Sequence, residues 1–212
     1  MFRFLALALL GVVSADMGWD GIQSVSQSGF SCLKSNGFSF YIARVWTSVG
    51  SYDNTGIQNI KNARAAGWKY VDGYIFPCHK SGCPSPATQV ANTVNHLKSV
   101  GAEYGMLWLD IETQDWPADH NTNRAFIEAM ANELDALKVN WGIYTNANNW
   151  GQIVGNDYNK FAHKSLWWAS WNGQQNFNGF TSFGGWTKVA MRQYLGDKNG
   201  PCGVNMDYNW YP

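Results

Sequence analysis

Two rhythms divide this chain of 212 residues. In its first two thirds, β-rich apolar runs alternate with stretches of helical period. Phe38 to Trp46 is dense in aromatic and β-branched residues. It is followed by apolar positions at Ile57, Ile60, Ala63 and Ala66, which predict a helix over 57–66 stopped by Gly67. Trp68 to Phe76 reads as a strand. Val90, Val94 and Leu97 put one apolar face on a helix over 88–100, before Gly101. A strand over 103–112 comes next. A helix capped at Asn121 or Thr122 and running to Lys138 carries Phe126, Met130, Leu134 and Leu137 on its stripe. Val139 to Thr145 is a strand, and a short helix lies near 148–154. Beyond it the helical stripes stop. Ser165 to Trp171, Val189 to Tyr194 and Gly203 to Asp207 look like strands joined by loops rich in Gly, Asn and Phe. With a short strand before Asp20, the count is about five βα units and then about three strands. Repeated βα units form a parallel sheet, and this many suggest closure into a barrel. An open doubly wound sheet is the alternative, but the chain has no Gly-x-Gly-x-x-Gly loop to recommend it.

The strand over 103–112 ends in two acids, Asp110 and Glu112, behind Met106, Leu107, Trp108 and Leu109. Residues i and i+2 of a strand face the same side, with Cα atoms roughly 6.6 Å apart. Strand interiors disfavour acids, and buried unpaired charge is costly. Two carboxylates so close raise one pKa, so that one group can donate a proton while its neighbour stays charged. That division of labour suits cleavage of a glycosidic bond. In a βα barrel the active site lies at the C-terminal ends of the strands. Asp110 and Glu112 fall there, as do Asp20, Tyr74 and Asp207. Closure would bring Asp20 and Asp207 together. Asp20 also reads as a turn residue before Gly21, and Asp207 as a cap for the C-terminal segment.

Residues 1–15 have the pattern of a secretory leader: Arg3, an apolar run, then Val13, Ser14 and Ala15. The run is too short to span a membrane. The mature chain, 16–212, is then a single domain. Export makes the even count of four cysteines a sign of two disulfides. Three connectivities are possible. A short bridge between Cys78 and Cys83 would leave Cys32 with Cys202. Their spacing matches no common zinc pattern, and no metal or other cofactor is expected. Charged residues are 14% of the chain and the net charge is zero, which argues against a nucleic-acid partner. No membrane association is expected, and a monomer is the default. The 12 Trp suit either a large core or a surface that stacks on sugars. There is no Asn-x-Ser/Thr acceptor for glycosylation.

Taken together, these residues resemble glycoside hydrolase family 25, the Ch-type lysozymes. The likeness rests on Asp110-Ile111-Glu112, supported by Asp20, Tyr74 with Phe76, Gly142 to Tyr144, Leu166 to Ala169, Gln193-Tyr194 and Val204 with Asp207. Phe183 to Trp186 and the cysteine placement are similar to its animal and protist branch. The resemblance covers the mature chain. It implies an irregular TIM-like α/β barrel, (β/α)5(β)3. It also implies hydrolysis of the β-1,4 bond between N-acetylmuramic acid and N-acetylglucosamine in bacterial peptidoglycan. Glu112 would be the proton donor, Asp110 would orient the substrate's acetamido group, and Asp20 and Asp207 would complete an acidic floor. Tyr74 and Gln193 match substrate-site positions. Tyr144, Trp168, Trp171 and Trp108 are candidate subsite walls, with barrel packing the other reading of Trp108. The chain departs from the family at Ile75, often His, and at Arg192, often Trp. Its first strand also lacks the family's usual wording, which leaves Asp16 as a fallback for Asp20.

Overall fold

The computed structural model describes residues 15–212. The expected leader therefore lies outside the described residues, apart from Ala15. Eight strands close into one barrel in chain order. Five βα units come first: β1 (Asp16–Asp20) with α1 (Gln27–Ser35), β2 (Phe38–Trp46) with α2 (Asn54–Ala65), β3 (Tyr70–Ile75) with α3 (Pro86–Ser99), β4 (Leu107–Asp110) with α4 (His120–Ala136), and β5 (Trp141–Thr145) with α5 (Ala147–Ile153). Three strands without a crossover α-helix follow: β6 (Ser165–Ala169), β7 (Met191–Asn199) and β8 (Asn205–Tyr211). The sheet is parallel from β1 through β7. β8 runs antiparallel to both β7 and β1 and so closes the seam.

Side-chain hydroxyl, carboxylate and amide oxygens start the helices. Ser26, Asp53, Ser85, Asp119 and Asn146 each accept a backbone N–H from the first turn. The cap of α4 is Asp119 and not Asn121 or Thr122; its carboxylate accepts from the backbone of both. The sequence reading names no helix between Asp20 and Phe38, where α1 lies. With nine residues, and only Phe30 and Leu33 buried, its stripe is too short to stand out. β4 is shorter than expected and ends at Asp110, which leaves Glu112 two residues beyond it.

Strand alternation sorts the core into two layers. The larger fills the space between sheet and helices and includes Trp19, Phe30, Ile60, Leu97, Ile127 and Trp150. The smaller fills the barrel with Phe40, Ile42, Trp108, Tyr144, Trp167 and Met191. Two glycines make room for this inner belt. A Cβ on Gly18 would lie 2.2 Å from the Phe40 ring, and one on Gly142 would lie 2.5 Å from the Trp108 ring. Both are contacts no side chain tolerates, so each ring occupies the place of the missing side chain. Both disulfides are present, Cys32–Cys202 and Cys78–Cys83. The first ties α1 to the 3-10 turn ahead of β8.

Candidate active site

Four acids gather at the C-terminal rim. Asp20 ends β1 and pairs in register with Asp207 on β8. Asp110 ends β4, and its inward face continues to Glu112, because Ile111 between them packs wholly into the outer layer. Ile111 N–H donates to the Tyr144 carbonyl at 2.9 Å, which extends the β4–β5 ladder one step past the strand. The turn is then fastened through the Glu112 carbonyl. It accepts from Gln114 N–H at 2.8 Å and from the Trp116 indole at 2.9 Å. This leaves the Glu112 side chain free to face the cleft.

Gln193 of β7 is the hub of the site. Its amide nitrogen donates to Asp20 Oδ1 at 2.8 Å and to Asp207 Oδ2 at 3.3 Å. Its amide oxygen accepts from the Tyr144 hydroxyl and from the Trp171 indole, each at 2.8 Å. Asn209 adds a second donor to Asp20 Oδ1 at 2.7 Å, and the Trp167 indole orients Asn209 from 2.7 Å. Asp207 is held from outside by the backbone N–H of Asp197 at 2.7 Å. Asp110 is different, since its Oδ1 is buried with no hydrogen-bond partner among the described residues.

Burial raises all four carboxyls, and repulsion within the group adds to it at Asp20, Asp110 and Glu112. Burial, then repulsion from Asp207, raises Asp20 well above the ordinary range. Burial, then Glu112 and Asp20, does the same to Asp110, opposed by Arg44. Glu112 is raised by burial and by Asp207. Asp207 is raised mainly by its own burial. The rim therefore holds protons at pH values where free carboxylic acids have lost them. Glu112 lines a cleft of about 320 Å³ with Tyr144, Asn146, Asn149, Ala169 and Trp171. Trp171 stands 58% exposed at its edge, an open ring face beside the acid. A larger cavity of about 500 Å³ lies at the other end of the barrel, away from the acids. Among the described residues, no group of three or more His, Cys, Asp or Glu side chains is placed to hold a metal ion.

The structure thus brings together Asp20, Asp110, Glu112, Asp207, Tyr144, Trp171 and Gln193. Tyr74 points into the same barrel end, where burial, and then the charges of Asp20 and Asp110, raise its hydroxyl pKa. Two expected cleft walls are corrected. Trp108 shares the face of Asp110 but lies one pleat lower. There it packs against Trp167 and donates its indole N–H to Asp72 at 3.0 Å. Trp168 points out of the barrel, against Phe180 and beneath the Arg192 guanidinium at 4.6 Å. Its neighbour Trp167 takes the inward position. Asp16, the fallback for Asp20, lines the distant cavity.

Sequence reasoning missed Arg44 and Asn209. Arg44 reaches the rim from β2, with its Nε held by Asp53 at 2.7 Å. A lone cation inside the apolar run Phe38 to Trp46 was its signal. Asn209 follows Asp207 by two residues and so shares its face. The Arg192 departure also has a structural reason. This buried side chain points outward and donates to the carbonyls of Ser170 at 2.8–3.0 Å and Asn176 at 2.7 Å. It pins the long loop between β6 and β7.

A closed α/β barrel with four acids of raised pKa at its C-terminal rim, beside an exposed indole, is an arrangement suited to a glycoside hydrolase. Comparison with known proteins makes the assignment specific. The family model described as lysozyme-like protein 1 matches residues 12–194. Lysozyme-like protein 5 of Caenorhabditis elegans is 48% identical, with 100% of this chain and 99% of that protein covered. Probable GH family 25 lysozyme 4 of Dictyostelium discoideum is 41% identical over 97% of this chain and 95% of its own length. The chain belongs to glycoside hydrolase family 25, the lysozymes. A solved family-25 lysozyme from Aspergillus fumigatus superposes with a TM-score of 0.72, covering 94% of each chain at 21% identity, and so shares the fold.

Proposed function

We propose that this chain is a secreted N-acetylmuramidase. It hydrolyses the β-1,4 bond between N-acetylmuramic acid and N-acetylglucosamine in bacterial peptidoglycan. The observation that carries the reading is Glu112, an acid of raised pKa that faces a cleft with the carboxyls of Asp110 and Asp207 close enough to act on the site. Glu112 donates its proton to the leaving oxygen, so that the sugar departs as a neutral alcohol. Asp110 offers Oδ1, which lacks a donor, to the substrate's acetamido N–H. An acceptor oxygen there orients the acetamido oxygen for attack on the anomeric carbon, a substrate-assisted route. Asp207, held by Gln193 and the Asp197 N–H, helps keep the proton of Glu112 in place, and Asp20 shares the Gln193 clamp. Trp171 and Tyr144 hold sugar rings across the cleft. The leader expected over residues 1–15 and the two disulfides support export to an oxidising compartment.

The test is product analysis. Purified protein is incubated with bacterial cell walls and, separately, with chitin. New reducing ends are then reduced with borohydride and identified by mass spectrometry. Muramic acid at the new reducing end supports the reading. Glucosamine at that position, or release from chitin alone, would replace it with another glycosidase activity.

A further inference from the structure

The cavity of about 500 Å³ opens at the N-terminal ends of the parallel strands. Its size falls within the roughly 300–1,000 Å³ of small-molecule sites. It exists because the lowest inward row of the barrel is short. β3 contributes Asp72 there and β6 contributes Ser165, with Asn140 just ahead of β5. None of them reaches across the barrel. The belt above them forms its roof, where Phe40 lies over Gly18 and Trp108 over Gly142. That belt separates the cavity from the acids at the other rim.

Its chemistry is specific. Asp72 is fixed in place, accepting the Met106 backbone N–H at 2.9 Å on one oxygen and the Trp108 indole at 3.0 Å on the other. Each oxygen keeps a further lone pair. Asn140, Ser165 and Tyr70 line the cavity, and their side chains make no hydrogen bond among the described residues. Tyr70 and Tyr211 stand at the mouth, 65% and 49% exposed, among the most exposed large apolar side chains of the chain. The lining holds no Lys or Arg, so an anion finds no partner. Phe40, Met106, Trp108, Ala190 and Met191 make the apolar part of its wall, and Asn140, Ser165, Tyr70 and Tyr211 lie exposed towards its opening. Aromatic faces beside unengaged hydroxyl, amide and carboxylate groups match a pyranose, which has apolar C–H faces and a hydroxyl rim.

We propose that this cavity is a second saccharide-binding site, separate from the catalytic cleft, which takes one or two neutral pyranose rings. Tyr70 and Tyr211 stack on the rings, while Asp72, Asn140 and Ser165 bond their hydroxyls. A chain held there stays on its polysaccharide between cleavage events. The inference goes beyond the muramidase reading and does not depend on it.

The test is calorimetric titration of the full-length Glu112→Gln chain, which leaves the sugar intact, with chitotetraose and with cellotetraose. The expected result is two molecules of one of these sugars per chain. Adding Tyr70→Ala and Tyr211→Ala should reduce this to one, whereas adding Trp171→Ala should leave the lower site filled. Both tyrosines are exposed, so these variants fold. In the otherwise unaltered chain, Tyr70→Ala/Tyr211→Ala should retain its rate on short soluble glycans and lose several-fold in binding to insoluble walls. Loss of both tyrosines that removes no bound sugar, whether the Glu112→Gln chain takes one or two, would overturn the proposal. So would binding of tetramethylammonium in preference to either sugar, since the cavity would then be a cation site built on Asp72.

Discussion

Asp20 and Asp207 face each other across the antiparallel seam between β1 and β8, and Gln193 donates one amide group to both. Two acids of the same sign thus share one neutral clamp, and their repulsion is not discharged. Each also acts on another acid of the rim: after burial, Asp207 raises the Glu112 carboxyl, and after burial and Glu112, Asp20 raises that of Asp110. The fold itself produces this arrangement. Only an eighth strand that runs against the first sets Asp207 opposite Asp20.

Removing the Asp207 charge should move the working pH. Repulsion from Asp207 helps hold the proton on Glu112, so Asp207→Asn lowers the Glu112 pKa. A proton donor works only while protonated. The alkaline limb of the kcat/KM profile on cell walls should therefore shift to lower pH, with the acid side changed much less. An unmoved alkaline limb would show that Asp207 does not act on the donor.

Asp110→Asn should exchange activity for stability. The carboxyl of Asp110 is raised above its ordinary value of 3.8, so the folded state binds its proton more tightly than the unfolded chain does. Stability from that group is full at low pH and is lost as pH rises through the folded-state pKa. The variant escapes this loss. Its Tm should match the parent near about pH 4 and exceed it increasingly towards neutrality, by roughly 2–4 °C for each kcal/mol released. Activity on walls should fall by about 10²-fold or more, on the scale of losing one preorganised electrostatic contact. Thermal scans across pH, paired with turbidity assays, check both halves.

Arg192→Met should unfasten the loop between β6 and β7. The guanidinium is fully buried and is bonded to the Ser170 and Asn176 carbonyls, which lose their donor in the variant. A cost of about 1–3 kcal/mol follows from leaving these half-buried acceptors without their donor. Denaturant unfolding measures it, and hydrogen exchange should show the lost protection concentrated at 170–180.

The architecture was largely legible in the residues because periodicity changes where the helices stop. Five helical stripes lie in the βα part of the fold, and four of them could be read. The fifth, α1, was hidden by a helix that buries only Phe30 and Leu33. The acids were legible too, since a carboxyl at the end of an apolar strand conflicts with its surroundings unless it has a task. Depth along a strand was not. Trp108 and Asp110 share a face, but sequence parity does not say which of the two reaches the rim. Nor could it choose between Trp167 and Trp168, where a slip of one position exchanges inside for outside. Gln193 was marked by the family resemblance, but its role as a hub was not legible, for another reason. Its partners come from β1, β5, β8 and the segment after β6, and no local pattern records them.

Cys32 and Cys202 lie 170 residues apart and join α1 to the turn ahead of β8. Replacing both with Ser frees the unfolded chain from a long closed loop, which should cost about 2–5 kcal/mol. Because β8 carries Asp207 and Asn209, activity at elevated temperature should fall before bulk unfolding begins. Calorimetry with parallel activity measurements would detect that order. Coincident loss of both would mean that the bridge supports the whole barrel and not the seam in particular.

The account turns on the proton held by Glu112, and the Glu112→Gln variant measures it most directly. Its folding is to be confirmed by an unchanged near-ultraviolet circular dichroism spectrum and a Tm at or above that of the parent. Initial rates of cell-wall clearing are then compared at mildly acidic pH. Loss of a general acid predicts a fall of about 10²–10⁴-fold. A variant that folds normally and still clears walls within tenfold of the parent rate would contradict the assignment.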